Sequence, residues 1–230
     1  MPRVTYDDQK RNAAVAAVEF IEDKMILGLG TGTTTKYALS LLAEKVKEGL
    51  RVTGVPSSVA TAQIAKRLKI PLVENPADFT RVDLTIDGAD EVDPAFNLIK
   101  GGGGALTREK ILATRSDRVI IIVDESKLVR QLGRFPVPVE ALSFGWRSTA
   151  DLLRKLGARV AQRHRDGEAV RTDNGNVILD CFFREIPNSA KLAEQIKSIV
   201  GVVEMGLFIG IADLVVVGKS DGSVEERWAT

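Results

Sequence analysis

The first half of the chain alternates short, continuous apolar runs with longer stretches of helical periodicity. Met25-Ile26-Leu27, Val52-Thr53-Gly54-Val55, Leu72-Val73, Leu84-Thr85-Ile86 and Arg118-Val119-Ile120-Ile121-Ile122-Val123 read as strands. Between them, Thr5-Tyr6-Asp7-Asp8 has the form of a capping box, after which Ala14, Val18 and Ile21 share one helical face. A periodic stretch from about Thr33 to Glu48 stops at Gly49, which suits a helix C-terminus, and 58–68 reads as a further helix. Runs that are apolar throughout, rather than alternating, belong to strands buried on both faces. That predicts a mostly parallel sheet covered by helices.

The pattern changes after Phe135-Pro136-Val137-Pro138-Val139. From there it predicts strand (about 136–141), helix (146–156), strand (158–163), strand (169–181), helix (188–199) and strand (202–208). The turn Asp173-Asn174-Gly175-Asn176 is placed to kink or split the fourth piece. This β-α-β-β-α-β order is the ferredoxin-like arrangement. Asp213 to Val217 again looks like a strand buried on both faces and is expected to return to the large sheet. The expected architecture is α/β: a Rossmann-like, mostly parallel sheet domain over 1–132 plus 209–230, with an inserted ferredoxin-like α+β domain over 133–208.

Composition narrows the function. With 230 residues, 44% hydrophobic and 27% charged, the chain can bury a substantial core. Lys+Arg at 32 against Asp+Glu at 31 leaves a net charge of +1, without the electrostatic footprint of a nucleic-acid or membrane-surface binder. A lone cysteine, Cys181, cannot form an internal disulfide, and a lone histidine, His164, removes His-rich zinc sites and most imidazole-based triads. The acidic start lacks a signal-peptide core, and no apolar run approaches the ~18 residues of a membrane span. A cytoplasmic enzyme doing acid–base chemistry without histidine is expected.

Four stretches carry candidate chemistry. Gly28-Leu29-Gly30-Thr31-Gly32-Thr33-Thr34-Thr35, between a strand and a helix, offers backbone N–H groups to an anion near a helix N-terminus. It lacks the Gly-Lys-Ser/Thr ending of a P-loop, and Thr33 occupies the third glycine's place in the dinucleotide fingerprint. A tight turn capped by threonines is the alternative. Asp87-Gly88-Ala89-Asp90-Glu91-Val92-Asp93 packs four carboxylates after a strand end, where open α/β sheets bind ligands. Acid and base roles, a divalent metal or a solvated turn are the competing readings. Lys100-Gly101-Gly102-Gly103-Gly104 precedes a helix bearing Glu109; so many glycines forfeit conformational entropy and suit a backbone wrapped around a ligand. Asp124-Glu125-Ser126-Lys127 follows the strongest strand, with Lys127 either a second phosphate contact or a surface lysine. Glycine-rich cradles, two lysines and several carboxylates together fit a small phosphorylated substrate and proton transfer.

Gly-Leu-Gly-Thr-Gly-Thr-Thr (28–34), Asp-Gly-Ala-Asp-Glu (87–91), Lys-Gly-Gly-Gly-Gly-Ala-Leu-Thr-Arg-Glu-Lys (100–110) and Asp-Glu-Ser-Lys (124–127) resemble the type A ribose-5-phosphate isomerase family. So do Gly133-Arg134-Phe135-Pro136, Thr172-Asp173-Asn174-Gly175-Asn176 and Gly201-Val202-Val203-Glu204, in order over nearly the whole chain. The resemblance implies interconversion of D-ribose 5-phosphate and D-ribulose 5-phosphate through a cis-enediolate, in the non-oxidative pentose phosphate pathway. It implies no cofactor and no metal. It makes Glu109 the base that moves a proton between C2 and C1, with Lys100 and the loop amides of Gly101, Gly102 and Gly103 stabilising the developing charge. Asp87 and Asp90, with Gly88 and Ala89 between them, would hold sugar hydroxyls and assist ring opening. Thr31, Gly32, Thr33, Thr34 and Lys127 would bind phosphate, with Lys10 reaching it as well. A homodimer or homotetramer is expected. A sugar-phosphate sensor without catalysis would usually carry a helix-turn-helix segment, and an aminosugar-phosphate isomerase would bring an imidazole for ring opening. His164, between Arg163 and Arg165, reads instead as a solvated or interface residue, Cys181 as strand packing, and Trp146 and Trp228 as core or interface aromatics.

Overall fold

The computed structural model describes residues 4–229. In chain order its elements are α1 (Tyr6–Val18), β1 (Ile26–Leu29), α2 (Thr33–Lys47), β2 (Thr53–Pro56), α3 (Val59–Arg67), β3 (Val82–Asp87), β4 (Glu91–Val92), β5 (Leu98–Ile99), α4 (Leu106–Thr114) and β6 (Ser116–Asp124). There follow β7 (Val137–Ala141), α5 (Trp146–Lys155), β8 (Arg159–Gln162), β9 (His164–Arg165), β10 (Glu168–Ala169), β11 (Val177–Phe182), α6 (Ser189–Lys197), β12 (Val202–Met205), β13 (Leu207–Phe208), β14 (Leu214–Gly218) and β15 (Val224–Trp228). They form two compact units. One takes the chain up to Ala89, Arg108–Leu128 and the chain from Ile211; the other takes Asp90–Thr107 and Val129–Gly210.

The first unit is built on a six-stranded sheet in the order β15-β14-β6-β3-β1-β2. Its strands run parallel except for β15, which hairpins back antiparallel on β14. Leu27, Leu29, Leu84, Ile86, Ile120, Ile122, Leu214 and Val216 point into one core with Ala13, Ala14, Ala17 and Val18 of α1 and Ala38, Leu39 and Leu42 of α2. The small residues of α1 let that helix lie close on the sheet, and its capping box forms: the Asp8 N–H donates to Thr5 Oγ1 and the Thr5 N–H to Asp8 Oδ2. Because every strand but the last runs the same way, the loops after β1, β3, β6 and β14 emerge at one edge.

The second unit holds a four-stranded antiparallel sheet in the order β12-β7-β11-β8, with α5 and α6 as its two crossover helices. That is the ferredoxin-like β-α-β-β-α-β topology. Its core gathers Val137, Val139 and Ala141 with Val177, Leu179 and Cys181, under Ala150 and Leu153 of α5 and Leu192 and Ile196 of α6. A three-stranded sheet, β13-β5-β4, completes the unit.

Three expected strands take a different form. Leu72-Val73 contributes only a bridge between Leu72 and Gly54, because the chain turns at once into the polar segment that follows. The 169–181 piece is divided: β10 pairs with β9 in a small hairpin, the 173–176 turn intervenes, and β11 begins at Val177. The 202–208 piece breaks at Gly206 into β12 and β13, which belong to different sheets. Gly206 donates its N–H to the Pro138 carbonyl (2.7 Å) and accepts the Lys100 N–H (2.8 Å), and a Cβ there would overlap the Lys100 carbonyl. The short β4 and β5 and the edge strand β15 were not foreseen from periodicity.

Candidate active site

In the first unit the loop after β1 leads directly into α2, whose N-cap is Gly32 at φ 141°. No side chain caps this helix, so the alternative of a turn capped by threonines does not hold there. The Thr31 hydroxyl is turned instead into a cluster with Ser57 (2.8 Å), Ser58 (2.8 Å) and Thr61 (3.0 Å), and Thr61 Oγ1 donates to the Gly30 carbonyl (2.9 Å). The helix therefore begins with N–H groups that no cap has claimed. Together with the helix dipole, that is the arrangement that receives an anion. Thr34 and Thr35 are buried and Thr33 is exposed.

Asp87, at the end of β3, anchors the same loop. Its Oδ1 accepts the N–H of Thr31 (3.1 Å) and of Gly88 (2.7 Å). A Cβ on Gly30 would overlap the Asp87 carboxyl and come within 2.7 Å of its Cα, and one on Gly28 would overlap Thr85. These two glycines are thus demanded by the side chains of β3. On α4, Glu109 is only 3% exposed, a carboxylate withdrawn from bulk water. After β6, the Asp124 side chain accepts the N–H of Ser126 (3.0 Å) and shapes the turn that carries Lys127. Buried Gln9 of α1 accepts the Glu125 N–H (3.3 Å) on the same turn, which ties it to the start of α1. Lys10, next to Gln9, pairs with Asp7 at 3.2 Å.

In the second unit Lys100 is 3% exposed and its ammonium lies 5.4 Å from the Phe208 ring centroid. The glycine run that follows forms a turn in which the Gly104 N–H donates to the Gly101 carbonyl (3.0 Å). Gly101 and Gly104 sit at φ 103° and 90°, conformations that favour glycine. Asp90 Oδ2 accepts the Gly102 N–H (2.8 Å), and the Arg163 guanidinium donates to the carbonyls of Gly101 (2.7 Å) and Gly102 (3.1 Å).

The four carboxylates of 87–93 divide by role. Asp87 and Asp90 each hold a glycine-bearing loop. Glu91 is buried and accepts the N–H of Gly133 (2.8 Å) and Phe135 (2.6 Å), while Asp93 closes its own turn by accepting the N–H of Ala95 and Asn97 (both 2.9 Å). Among the described residues no group of three or more His, Cys, Asp or Glu side chains is arranged to hold a metal ion. His164 is exposed on β9, its ring Nδ1 3.0 Å from the Gln162 carbonyl. Cys181 is buried, and burial, with Asp180 beside it, pushes its thiol up to about 12.

Two groups went unread in the sequence. Arg163 registered only as a neighbour of His164, and its partner Asp180 not at all; a charged pair spaced across a predicted hairpin is no signal by itself. Glu140 on β7 is 1% exposed, and it accepts from Thr107 Oγ1 (2.5 Å), Thr172 Oγ1 (2.8 Å), Asn174 Nδ2 (3.1 Å) and Asn176 Nδ2 (2.7 Å). The polar Thr172–Asn176 turn, read as a kink, is the shell of that carboxylate.

An open α/β sheet with an uncapped helix N-terminus at its strand ends, and a buried carboxylate on a neighbouring helix, is the framework of an enzyme that handles a small anionic substrate. The chain belongs to the ribose 5-phosphate isomerase A (phosphoriboisomerase A) family, whose model matches residues 53–222. It is 53% identical over 218 residues to a ribose-5-phosphate isomerase A of Gloeobacter violaceus, covering 94% of each chain. Among solved structures it resembles a ribose 5-phosphate isomerase A from Methanocaldococcus jannaschii (38% identity, TM-score 0.92, covering 97% of this chain and 100% of that one). It also resembles a D-ribose-5-phosphate isomerase in complex with phospho-erythronic acid (40% identity, TM-score 0.93, covering 97% and 99%).

Proposed function

We propose that this chain interconverts D-ribose 5-phosphate and D-ribulose 5-phosphate by proton transfer between C2 and C1. The observation that carries the reading, beside family membership, is the buried Glu109 carboxylate on the helix that follows the four-glycine turn. A carboxylate held in a site that excludes water can serve as general base toward a carbon-bound proton. The sole histidine is exposed on a hairpin, which disfavours the imidazole-assisted aminosugar alternative.

In this reading Asp87 and Asp90 hold the sugar hydroxyls and assist opening of the furanose, with Gly88 and Ala89 keeping the backbone low between them. Glu109 removes the C2 proton from the open-chain aldose, and electron density moves through C1 onto O1 to give a cis-enediolate. Lys100 and the amides of Gly101 and Gly103 stabilise that charge where it develops, while Asp90 holds the Gly102 N–H between them. The hydroxyl proton on O2 passes to O1, and Glu109 returns the carbon-bound proton to C1 as the C2 carbonyl forms. The uncapped start of α2, with Thr31, Gly32, Thr33 and Thr34, takes the phosphate, joined by Lys127 and Lys10. Phosphate contacts remote from C1 and C2 then orient the reacting carbons. The residues assigned to the reaction fall within 1–132, with 133–208 acting as support and 209–230 completing the large sheet. Work in the cytoplasm, within the non-oxidative pentose phosphate pathway and as a homodimer or homotetramer, belongs to the same proposal.

Incubation with ribose 5-phosphate in deuterated water tests it: ribulose 5-phosphate labelled at C1 is expected. Glu109→Gln should lower kcat about 1,000-fold while KM stays within about threefold. Near-normal turnover of that variant would remove Glu109 from the base role.

A further inference from the structure

We propose that Arg163 is a positioning residue for the isomerisation, acting through the peptide planes of the four-glycine turn. The inference rests on the reading that this turn stabilises the developing enediolate.

Arg163 lies just past β8 and is largely buried, with a side chain 12% exposed against 15% for Asp180. Its Nε donates to Asp180 Oδ2 (2.9 Å) and its Nη2 to Asp180 Oδ1, a bidentate pairing that fixes the plane of the guanidinium. The remaining terminal nitrogen, Nη1, then points at the carbonyls of Gly101 and Gly102. In a trans peptide the C=O and N–H are antiparallel, so holding a carbonyl on one side presents the next residue's N–H on the other. The Gly101 carbonyl bears this out. It faces Arg163, and the Gly102 N–H of the same peptide is directed away, onto Asp90. The Gly102 carbonyl is held in the same manner, so the Gly103 N–H is presented opposite the guanidinium. Gly103 is exposed, and its N–H makes no hydrogen bond among the described residues.

The arrangement solves a specific problem. A run of four glycines has little intrinsic preference for one set of peptide orientations, and a donor that must be aimed before charge develops cannot be left to rotate. Asp90 fixes one peptide from its N–H side, and Arg163 fixes two from their carbonyl sides. A cation on the carbonyl oxygen also polarises the peptide, which strengthens the N–H as a donor.

A purely structural role for the pair would show in stability alone, so the test removes both charges together. Replacing a buried pair by apolar residues avoids stranding one charge, whereas removing one partner leaves the other uncompensated. For Arg163→Met/Asp180→Leu the expectation is a Tm close to wild type and kcat for ribose 5-phosphate lowered roughly 10–100-fold, with KM within about threefold. Phospho-erythronic acid, whose carboxylate places negative charge beside the phosphate-bearing chain, should lose affinity by a similar factor while competition by inorganic phosphate is unchanged. Arg163→Lys keeps a cation against Asp180 but cannot reach Asp180 and both carbonyls in one plane; it should lower kcat about threefold to tenfold. Should the double variant fail to fold, Arg163→Lys decides alone. Wild-type kcat in whichever of these variants folds would overturn the inference. The isomerase reading fails separately, if wild-type protein neither converts ribose 5-phosphate nor introduces label at C1 in deuterated water.

Discussion

The two glycine-rich loops look alike in sequence and are held in opposite ways. The 28–32 loop of the first unit is shaped from outside by neighbouring side chains: Thr85 and Asp87 fill the space that Cβ atoms at Gly28 and Gly30 would need. Asp87 accepts one of its amides, that of Thr31, and hydroxyl groups supply the rest, with Thr31, Ser57, Ser58 and Thr61 exchanging hydrogen bonds. The 101–104 turn of the second unit is glycine-rich for its backbone, with positive φ at Gly101 and Gly104, and charged groups hold it: Asp90 on an N–H, Arg163 on two carbonyls. In the proposed function the first loop receives a permanently charged phosphate on the amides at the start of α2, which no side chain caps. A loop that must answer charge appearing during the reaction gains from ionised groups that fix its dipoles in advance.

Substitutions can break this contrast. The largest effect is expected from Gly30→Ala, where the new methyl meets the Asp87 carboxyl and main chain. Overpacking of this kind should cost about 1–3 kcal/mol in denaturant unfolding, and displacing Asp87 should lower kcat/KM roughly 100-fold. Normal activity in Gly30→Ala would show that the first loop has more room than the side chains of β3 allow. An intermediate effect is expected in the second unit from Glu140→Gln. This carboxylate accepts from four side chains, and Thr107, one of them, belongs to α4. An amide presents an N–H to at least one existing donor, so unfolding free energy should fall by about 1–3 kcal/mol, read from the denaturation midpoint. An unchanged midpoint would mean that the Thr172–Asn176 turn does not depend on the charge.

The smallest effect is confined to alkaline pH. The Cys181 thiol is held up to about 12 in the folded chain, against an ordinary value of 9.0. Between those values the unfolded chain releases a proton that the folded chain keeps, so stability present below about pH 9 is lost as pH rises toward 12. Cys181→Ala should remove that component, flattening the decline relative to wild type over the same window. Identical slopes in the two proteins would show that Cys181 is not buried as described.

Most of the large sheet was legible because its strands are buried on both faces, and such strands are written as unbroken apolar runs; β3, β6 and β14 are examples. The short β4 and β5 were not, since two-residue strands have no period to detect. The break at Gly206 was invisible for another reason. It answers to the Lys100 carbonyl, more than a hundred positions earlier in the chain. Candidate site residues were readable where glycine and carboxylate density is unusual for a loop. Glu140 and Arg163 lie in ordinary strand sequence, and their roles come from partners brought in by β11 and the glycine turn.

The break at Gly206 has a bearing on how this molecule could be rebuilt. Its carbonyl takes the N–H of Lys100, Leu207 and Phe208 pair with Ile99 and Leu98, and Gly133 and Phe135 satisfy Glu91. Within the second unit, the 133–208 stretch is therefore darned into 90–107 on either side of the lysine, like a patch stitched through. A chimera that exchanged 133–208 for the matching stretch of a relative would import a new backbone mate for Lys100 with it. Grafts intended to alter only the four-stranded sheet should therefore retune the lysine as well.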